Sequence, residues 1–235
     1  MIGTLLNIAT VLIGGGLGLL FGSRLPERLK QTVVAGLGLF TAVTGIKMFL
    51  ETKNSLIVLG SLLVGVLLGE WWKIEDGLQA LGGFFERKFN RGGEDPNRFV
   101  RGFLAASLLF CVGPMAILGS IQDGLTGNFE TLAIKSVLDG FASLAFASSL
   151  GVGVLFSVIV ILVYQGGISL LAAQLNAVVS PAMMTEMTAT GGVILLGIAI
   201  SSLLELKRIR VGNFLPALFL APLIVAILVW LGIKY

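Results

Sequence analysis

Long apolar runs alternate with short polar segments along most of the 235-residue chain. A helix needs roughly 20 apolar residues to cross about 30 Å of hydrocarbon. Runs of suitable length fall at 3–22, 32–50, 55–72, 100–119, 132–150, 152–174, 187–205 and 213–232. The pattern predicts an all-α polytopic transmembrane bundle of about eight spans, forming one membrane domain over residues 1–235. The run at 132–150 is the most polar and could instead be short or re-entrant, if protein or water covers its backbone.

The longest polar segment lies between the third and fourth predicted spans, at residues 73–98. Within it, apolar residues recur at helical spacing, at Ile74, Leu78, Leu81, Phe85 and Phe89. A helix with one apolar face can lie along the membrane interface. We therefore expect an amphipathic helix here, acting either as a surface anchor or as a docking site for a soluble partner.

Basic residues cluster in alternate predicted loops. Twelve of the sixteen Lys and Arg residues lie in or beside the first, third and seventh loops: Arg24, Arg28, Lys30, Lys73, Arg87, Lys88, Arg91, Arg98, Arg101, Lys207, Arg208 and Arg210. Because cytoplasmic loops carry an excess of Lys and Arg, these loops are predicted to be cytoplasmic and both termini to lie outside. Removing the run at 132–150 would move the last cluster to the other side, so the charge pattern favours a crossing there.

The composition supports a membrane protein and narrows its chemistry. The chain is 56% hydrophobic and 12% charged, whereas ordinary soluble domains are about 25% charged. It has no histidine and one cysteine, Cys111, which excludes disulfide frameworks, His/Cys zinc sites and histidine acid–base catalysis within the chain. It also lacks the GxxxxGK[ST] phosphate-binding sequence. We expect no enzyme, no cofactor and no nucleic-acid partner, and leave open whether a metal ion binds.

Polar residues inside the apolar runs are the candidate functional groups, because a charge at the centre of a membrane helix costs about 2.5–3.5 kcal/mol. Asp123 and Asp139 stand in the related segments SIQDG (120–124) and SVLDG (136–140). Two such strips facing one another could coordinate a cation or share a proton. Asp123 could alternatively be a solvated helix end. The predicted ion or solute pathway comprises Ser120, Gln122, Asp123, Ser136, Asp139, Gln165, Glu186 and Thr188.

Two local features refine this pathway. Gly113-Pro114 should break the fourth span, because proline cannot continue the helical hydrogen bonds. A broken span either exposes backbone groups as ligands or is a simple packing kink. Glu186 and Thr188 fall at the predicted start of the seventh span, where free helix amides could bind an anion. Glu186 would oppose that anion unless it is protonated or paired, and it could also be an ordinary carboxylate at a helix N-terminus.

Two repetitive patterns bear on assembly. Residues 36–49 with the third span resemble residues 191–206 with the eighth, which suggests an inverted repeat of spans 1–3 and 6–8. Gly14, Gly18 and Gly22 form a strip of small residues on one face of the first span. Such a strip lets two helices approach closely, either within the chain or in a homodimer.

Several of these segments together resemble one bacterial family. The segments CVGPMAILGSIQDGL (111–125), KSVLDGFASLAFASSLGVG (135–153), YQGG (164–167), EMTATGG (186–192) and RVGNFLPAL (210–218) are similar to the YdfK/YqgA-like integral membrane proteins, a domain of unknown function. The resemblance covers essentially the whole chain. It implies a multi-pass protein of the bacterial cytoplasmic membrane and supplies neither a substrate nor site residues.

The residues favour a secondary transporter or channel-like permeation protein for a small polar solute or ion. Alternating access would expose a site lined by the broken fourth span and the polar fifth span, with H⁺ or Na⁺ as candidate coupling ions at Asp139 and Asp123. The expected partners are the lipid bilayer, the solute and a second copy of the chain. The alternative is a membrane scaffold or sensor accessory that docks a soluble partner through residues 73–98.

Overall fold

The fold was analysed in a computed structural model, which describes residues 1–22, 26–89 and 96–233. These residues form helices and contain no strand. The helices are α1 (Ile2–Gly22), α2 (Glu27–Phe49), α3 (Ser55–Trp72), α4 (Ile74–Phe89), α5 (Pro96–Cys111), α6 (Pro114–Thr126), α7 (Glu130–Leu150), α8 (Ser157–Leu170), α9 (Ala172–Val178), α10 (Pro181–Ile198) and α11 (Ala217–Trp230). Short 3₁₀ turns precede α8 and α11, and a π-helical turn extends α10 to Leu203.

The predicted all-α polytopic architecture is confirmed. Within the described ranges, seven helical segments are long and apolar enough to cross a membrane, and the pair α5 and α6, bent by 61°, makes an eighth if it counts as one span. The chain is therefore a membrane protein with several candidate spans. The polar run at 132–150 lies in α7, a continuous helix of 21 residues, so it is neither short nor interrupted.

The chain divides into two compact units, each built from two stretches of sequence. Unit 1 comprises 1–37 and 79–177, and unit 2 comprises 38–78 and 178–235. Whether the chain acts as one domain stays a prediction, and each unit is described by itself.

The core of unit 1 is a close, parallel pair formed by α1 and α7. A Cβ added at Gly14, Gly18 or Gly22 would overlap the backbone of α7, at Gly140, Leu144 and Ser148 respectively. Glycine is needed at these positions because the two backbones touch. The small-residue strip is thus filled by α7 of the same chain, which agrees with the intramolecular alternative, and a homodimer stays a prediction.

The bent pair α5–α6 runs antiparallel along the length of α7. At the C-terminal end of α7, a Cβ at Gly102 would lie 3.0 Å from the Leu150 carbonyl oxygen. At the N-terminal end, a Cβ at Gly119 would lie 2.9 Å from the Leu132 side chain. Leu132 and Leu150 are about 27 Å apart at 1.5 Å per residue, close to the hydrocarbon thickness. The length of this contact favours one broken crossing over a re-entrant loop.

Unit 2 joins the start of α4 to the 3₁₀ turn Val211–Phe214 by a reciprocal pair of caps. The Glu75 N–H donates to Asn213 Oδ1 at 2.7 Å, and the Gly212 N–H donates to Glu75 Oε2 at 2.7 Å. The first amides of any helix lack intrahelical partners. Each helix start here supplies the acceptor that the other needs, which buries Glu75 without leaving its carboxylate unpaired.

The predicted amphipathic helix in residues 73–98 is α4, and its buried face is packed against its own chain. In unit 1, the centroid of the Phe85 ring lies 5.3 Å from that of the Phe156 ring and 6.2 Å from that of the Phe103 ring. Gly82 is buried beside Phe103. Residues 90–95 of the predicted loop lie outside the described residues. The packing of Phe85 shows that part of the apolar face is an intramolecular contact.

Candidate functional site

Three helices of unit 1 bring together a polar cluster, which we define as Asn7, Lys135, Asp139 and Gln165. Lys135 and Asp139 are one turn apart on α7 and therefore share a face. Asn7 reaches them from α1 and Gln165 from α8. Asn7 and Gln165 have no exposed surface, and the other two side chains are also buried. The cluster is thus assembled from residues up to 158 positions apart in sequence.

Asp139 is the centre of the hydrogen bonds in this cluster. Its Oδ2 accepts from Lys135 Nζ and, at 3.0 Å, from Asn7 Nδ2. The same Asn7 Nδ2 donates to Gln165 Oε1 at 3.3 Å. The Lys135 ammonium also lies 6.0 Å from the centre of the Phe110 ring, at the C-terminal end of α5. The carboxylate is therefore compensated by a cation of its own chain.

Each amide of the polar cluster leaves one polar atom without a hydrogen bond. A carboxylate can only accept, so Asn7 must turn its NH₂ group to Asp139, which leaves Asn7 Oδ1 free. Gln165 presents Oε1 to Asn7, which leaves Gln165 Nε2 free, and both free atoms are buried. An unmade hydrogen bond at a buried polar group costs about 1–3 kcal/mol. Two such atoms in one cluster require an explanation.

The two serines predicted for the pathway are buried in unit 1 but occupy different environments. The Ser120 carbonyl accepts from Ser169 Oγ at 3.0 Å, which ties α6 to α8, while Ser120 Oγ is buried and has no hydrogen bond. Ser136 Oγ instead donates to the Leu132 carbonyl at 2.6 Å, within its own helix. Ser120 thus adds a free hydroxyl to unit 1, whereas the Ser136 hydroxyl is already used.

Asp123 and Asp139 bind different groups of α1. Its Oδ2 accepts from the Gly3 N–H at 3.0 Å, and the Met1 amino group lies 3.0 Å from Oδ1. A carboxylate at the first turn of α1 satisfies an unpaired amide and interacts favourably with the helix dipole. The two aspartates therefore have different partners, because Asp123 caps α1 while Asp139 pairs with Lys135, and a cation or proton shared between them stays a prediction. Asp123 is also buried, so it is not a solvated helix end.

Gln122 lies outside the interior of unit 1. Its side chain is exposed and its Oε1 accepts from Thr131 Oγ1 at 2.9 Å. Neighbouring positions on a helix point in different directions, so the burial of Ser120 and Asp123 does not extend to Gln122. It is a surface residue beside the connection between α6 and α7.

Glu186 and Thr188 belong to unit 2 and form no helix-end anion site. Helix α10 begins at Pro181 with Ser180 as its cap, so both residues lie well inside the helix. The Glu186 carboxylate is fully buried and accepts from Thr52 Oγ1 at 2.5 Å and from the N–H groups of Lys53 and Asn54 at 2.8 and 3.3 Å. Its role in the structure is to hold the turn between α2 and α3.

The helix break lies beside the polar cluster. Helix α5 ends at Cys111 and α6 begins at Pro114, with Gly113 at the cap position and no side-chain cap. Phe110, one residue before the end of α5, contacts the Lys135 ammonium. Among the described residues, no group of three or more His, Cys, Asp or Glu side chains is placed to hold a metal ion.

Two members of the polar cluster were not among the predicted pathway residues. Lys135 stands four residues before Asp139, and this spacing is the signal of an ion pair on one helix face. Asn7 is a strongly polar residue in an otherwise apolar run, and polar side chains buried in membrane helices usually bind across to another helix. Both signals are present in the sequence, but neither identifies which helices become neighbours.

Comparisons with known proteins agree with the membrane architecture. Residues 2–226 match the family described as "Protein of unknown function (DUF554)". The chain is 33% identical over 233 residues to the "Uncharacterized protein YqgA" of Escherichia coli (strain K12), covering 98% of this chain and 99% of that protein. It is 26% identical over 239 residues to the "Uncharacterized membrane protein YdfK" of Bacillus subtilis (strain 168), covering 100% of both. No solved structure gives a significant match.

Proposed function

The chain belongs to the DUF554 family, and from the geometry of unit 1 we propose that it is a secondary transporter for a small polar solute. The polar cluster is the solute site, and the Lys135–Asp139 pair carries the coupling ion. The protein works in a bacterial cytoplasmic membrane, with both termini outside.

The observation that carries the proposal is the uneven distribution of unsatisfied polar groups. Among the described residues, five polar atoms of uncharged side chains are buried without a hydrogen bond, and all belong to unit 1: Asn7 Oδ1, Gln165 Nε2 and the hydroxyl oxygens of Thr4, Ser107 and Ser120. The buried carboxylates of unit 2, Glu75 and Glu186, both accept hydrogen bonds. A purely structural interior would be expected to pair its polar groups in both units. A site that binds a polar solute needs hydrogen-bond donors and acceptors that the protein does not pair with one another.

The pairing of Asp139 favours H⁺ over Na⁺ as the coupling ion. Na⁺ would need several oxygen ligands, but Asp139 Oδ2 is already occupied by the Lys135 ammonium and the Asn7 amide. A proton needs no such room, because one taken up from the aqueous phase can protonate the Asp139 carboxylate and so release the Lys135 ammonium from the pair. The broken span supports alternating access, since α6 can tilt at residues 112–113 without disrupting the hydrogen bonds of α5.

The test is a flux measurement in proteoliposomes. A panel of small polar solutes is offered under an imposed H⁺ or Na⁺ gradient to the wild type, Asp139→Asn and Asp123→Asn. We expect H⁺-dependent uptake that is lost in Asp139→Asn and only weakened in Asp123→Asn, because Asp123 acts through the start of α1. Uptake whose gradient dependence survives in Asp139→Asn would show that the coupling role is wrong.

The scaffold alternative has less support in the structure. Its docking surface is the apolar face of residues 73–98, and in unit 1 the Phe85 ring of that face packs against Phe103 and Phe156 of the same chain. The scaffold becomes the better explanation if no solute of the panel moves and a soluble protein binds stably to residues 73–98.

A further inference from the structure

We infer that the solute is uncharged and carries a hydrogen-bond donor next to an acceptor, as urea and small carboxamides do. This inference rests on the proposed function and names the substrate class of the same site. It follows from two properties of the polar cluster, its charge balance and the chemistry of its free atoms.

The charges in and around the polar cluster already cancel. The Lys135 ammonium contacts the Asp139 carboxylate, so the pair is neutral as a whole. The other buried ionic side chain among the described residues of unit 1 is Asp123, which faces the Met1 amino group and the start of α1. With the ion pair formed, a charged solute would therefore find no opposite charge to replace its hydration, and an isolated ion in a low-dielectric interior is strongly disfavoured. An uncharged solute meets no such barrier.

The free atoms of the polar cluster form a donor and an acceptor. Asn7 Oδ1 can only accept and Gln165 Nε2 can only donate. The two amides are joined by the bond from Asn7 Nδ2 to Gln165 Oε1, so the free acceptor and the free donor belong to neighbouring side chains. A solute with an N–H group next to a C=O group would pair with both. A hydrocarbon of the same size would leave both unpaired, and an ion would add a charge without improving this match.

The shape-matched probes for the test are urea and guanidinium, which are both small and planar but differ in charge, with acetamide as a second uncharged probe. Flux of each is measured in proteoliposomes against protein-free liposomes. In the wild type we expect urea and acetamide to move about tenfold faster than guanidinium, the ratio that corresponds to roughly one hydrogen bond.

Gln165→Glu is the decisive variant, because it replaces the free donor with a carboxylate oxygen and keeps the acceptor that Asn7 uses. We expect it to reverse the order, so that guanidinium moves faster than urea. Gln165→Leu removes both groups and should slow urea and acetamide about tenfold. Ser61→Ala is the control, since the Ser61 hydroxyl donates only within α3, to the Ile57 carbonyl in unit 2, and its flux should equal that of the wild type.

The possible failures are distinguishable. Guanidinium faster than urea in the wild type, or a charged solute transported from the wider panel while neither uncharged probe moves, overturns this inference and leaves the proposed function standing. An unchanged preference in folded Gln165→Glu also overturns it. Absence of flux for every solute, with folded and reconstituted protein, overturns both.

Discussion

At the residue scale, the Lys135–Asp139 pair makes each of its members dependent on the other. Both side chains are buried, and the Lys135 ammonium donates to the Asp139 carboxylate and lies over the Phe110 ring. Removing one ion of a buried pair leaves an uncompensated charge, whereas replacing both by apolar groups of similar volume is often neutral or stabilising. Stability and transport should therefore respond differently to single and double replacement.

Lys135→Met should destabilise the protein by about 3–5 kcal/mol, because it leaves the Asp139 carboxylate buried without its cation. Lys135→Met combined with Asp139→Leu should regain most of this loss while remaining inactive in transport. The measurement is the thermal unfolding midpoint of the purified variants in detergent. A double variant that is as unstable as Lys135→Met would show that the ion pair is not the source of the effect.

The residue scale also shows where prediction from the sequence ends. Asp139 and Gln165 were predicted as interior polar groups because each stands in an apolar run, and the structure buries both. Asp123 was predicted on the same grounds and is also buried, but its carboxylate caps α1. Burial can be inferred from one segment of the chain, whereas the partner of a buried group depends on which helices pack together.

At the element scale, the backbone contact between α1 and α7 determines where Asn7 meets Asp139. Gly14 and Gly18 on one side, and Gly140 on the other, let the two helices approach until backbone atoms touch. The strip of glycines was visible in the sequence, but its partner was not, because close packing within a chain and between chains requires the same small residues.

Gly18→Leu should prevent correct folding, because the new side chain would enter the space of the Leu144 carbonyl and Ala147. Overpacking typically costs about 1–3 kcal/mol, and more against backbone. Gly16→Leu is the matched control, since a Cβ there meets nothing within 4 Å. The yield of monodisperse protein should fall several-fold only in Gly18→Leu. A normal yield with an altered oligomer mass would favour the homodimer interpretation.

The break between α5 and α6 is the second element that the proposal needs. Combining Gly113→Ala with Pro114→Ala restores the backbone N–H group and the helix propensity of this step. A Cβ at Gly113 meets nothing within 4 Å, so the variant should fold. We expect a thermal unfolding midpoint equal to or above that of the wild type. The solute flux should fall about tenfold or more, because each 1.4 kcal/mol added to the activation free energy slows a rate about tenfold. Undiminished flux would mean that the break is only a packing kink.

At the scale of the whole molecule, the span count and the basic loops are consistent with one another. The order of candidate spans follows the apolar runs of the sequence closely, because hydrophobic length is a local property. The division into two units was not predicted, since each unit joins stretches that are distant in sequence. The inverted repeat of spans 1–3 and 6–8 stays a prediction.

The orientation can be tested at two exposed positions in a Cys111→Ala background. Asp76→Cys lies in the predicted cytoplasmic segment 73–98, and Asn128→Cys lies between α6 and α7, on the predicted outer side. A membrane-impermeant thiol reagent added to intact cells should label position 128 and leave position 76 unlabelled until the cells are opened. The opposite labelling pattern would show that the topology is inverted and that this chain does not follow the positive-inside rule.

The central claim is that the polar cluster becomes accessible to water, and the most direct test is the thiol reactivity of position 165. Gln165→Cys is placed in the Cys111→Ala background and treated in native membranes with a small water-soluble thiol reagent. Asn128→Cys serves as the exposed reference and Ser61→Cys as the fully buried one. We expect position 165 to react well above the rate of position 61, although more slowly than position 128. A position 165 as unreactive as position 61, while position 128 is fully labelled, would show a permanently dry interior and contradict transport through the cluster.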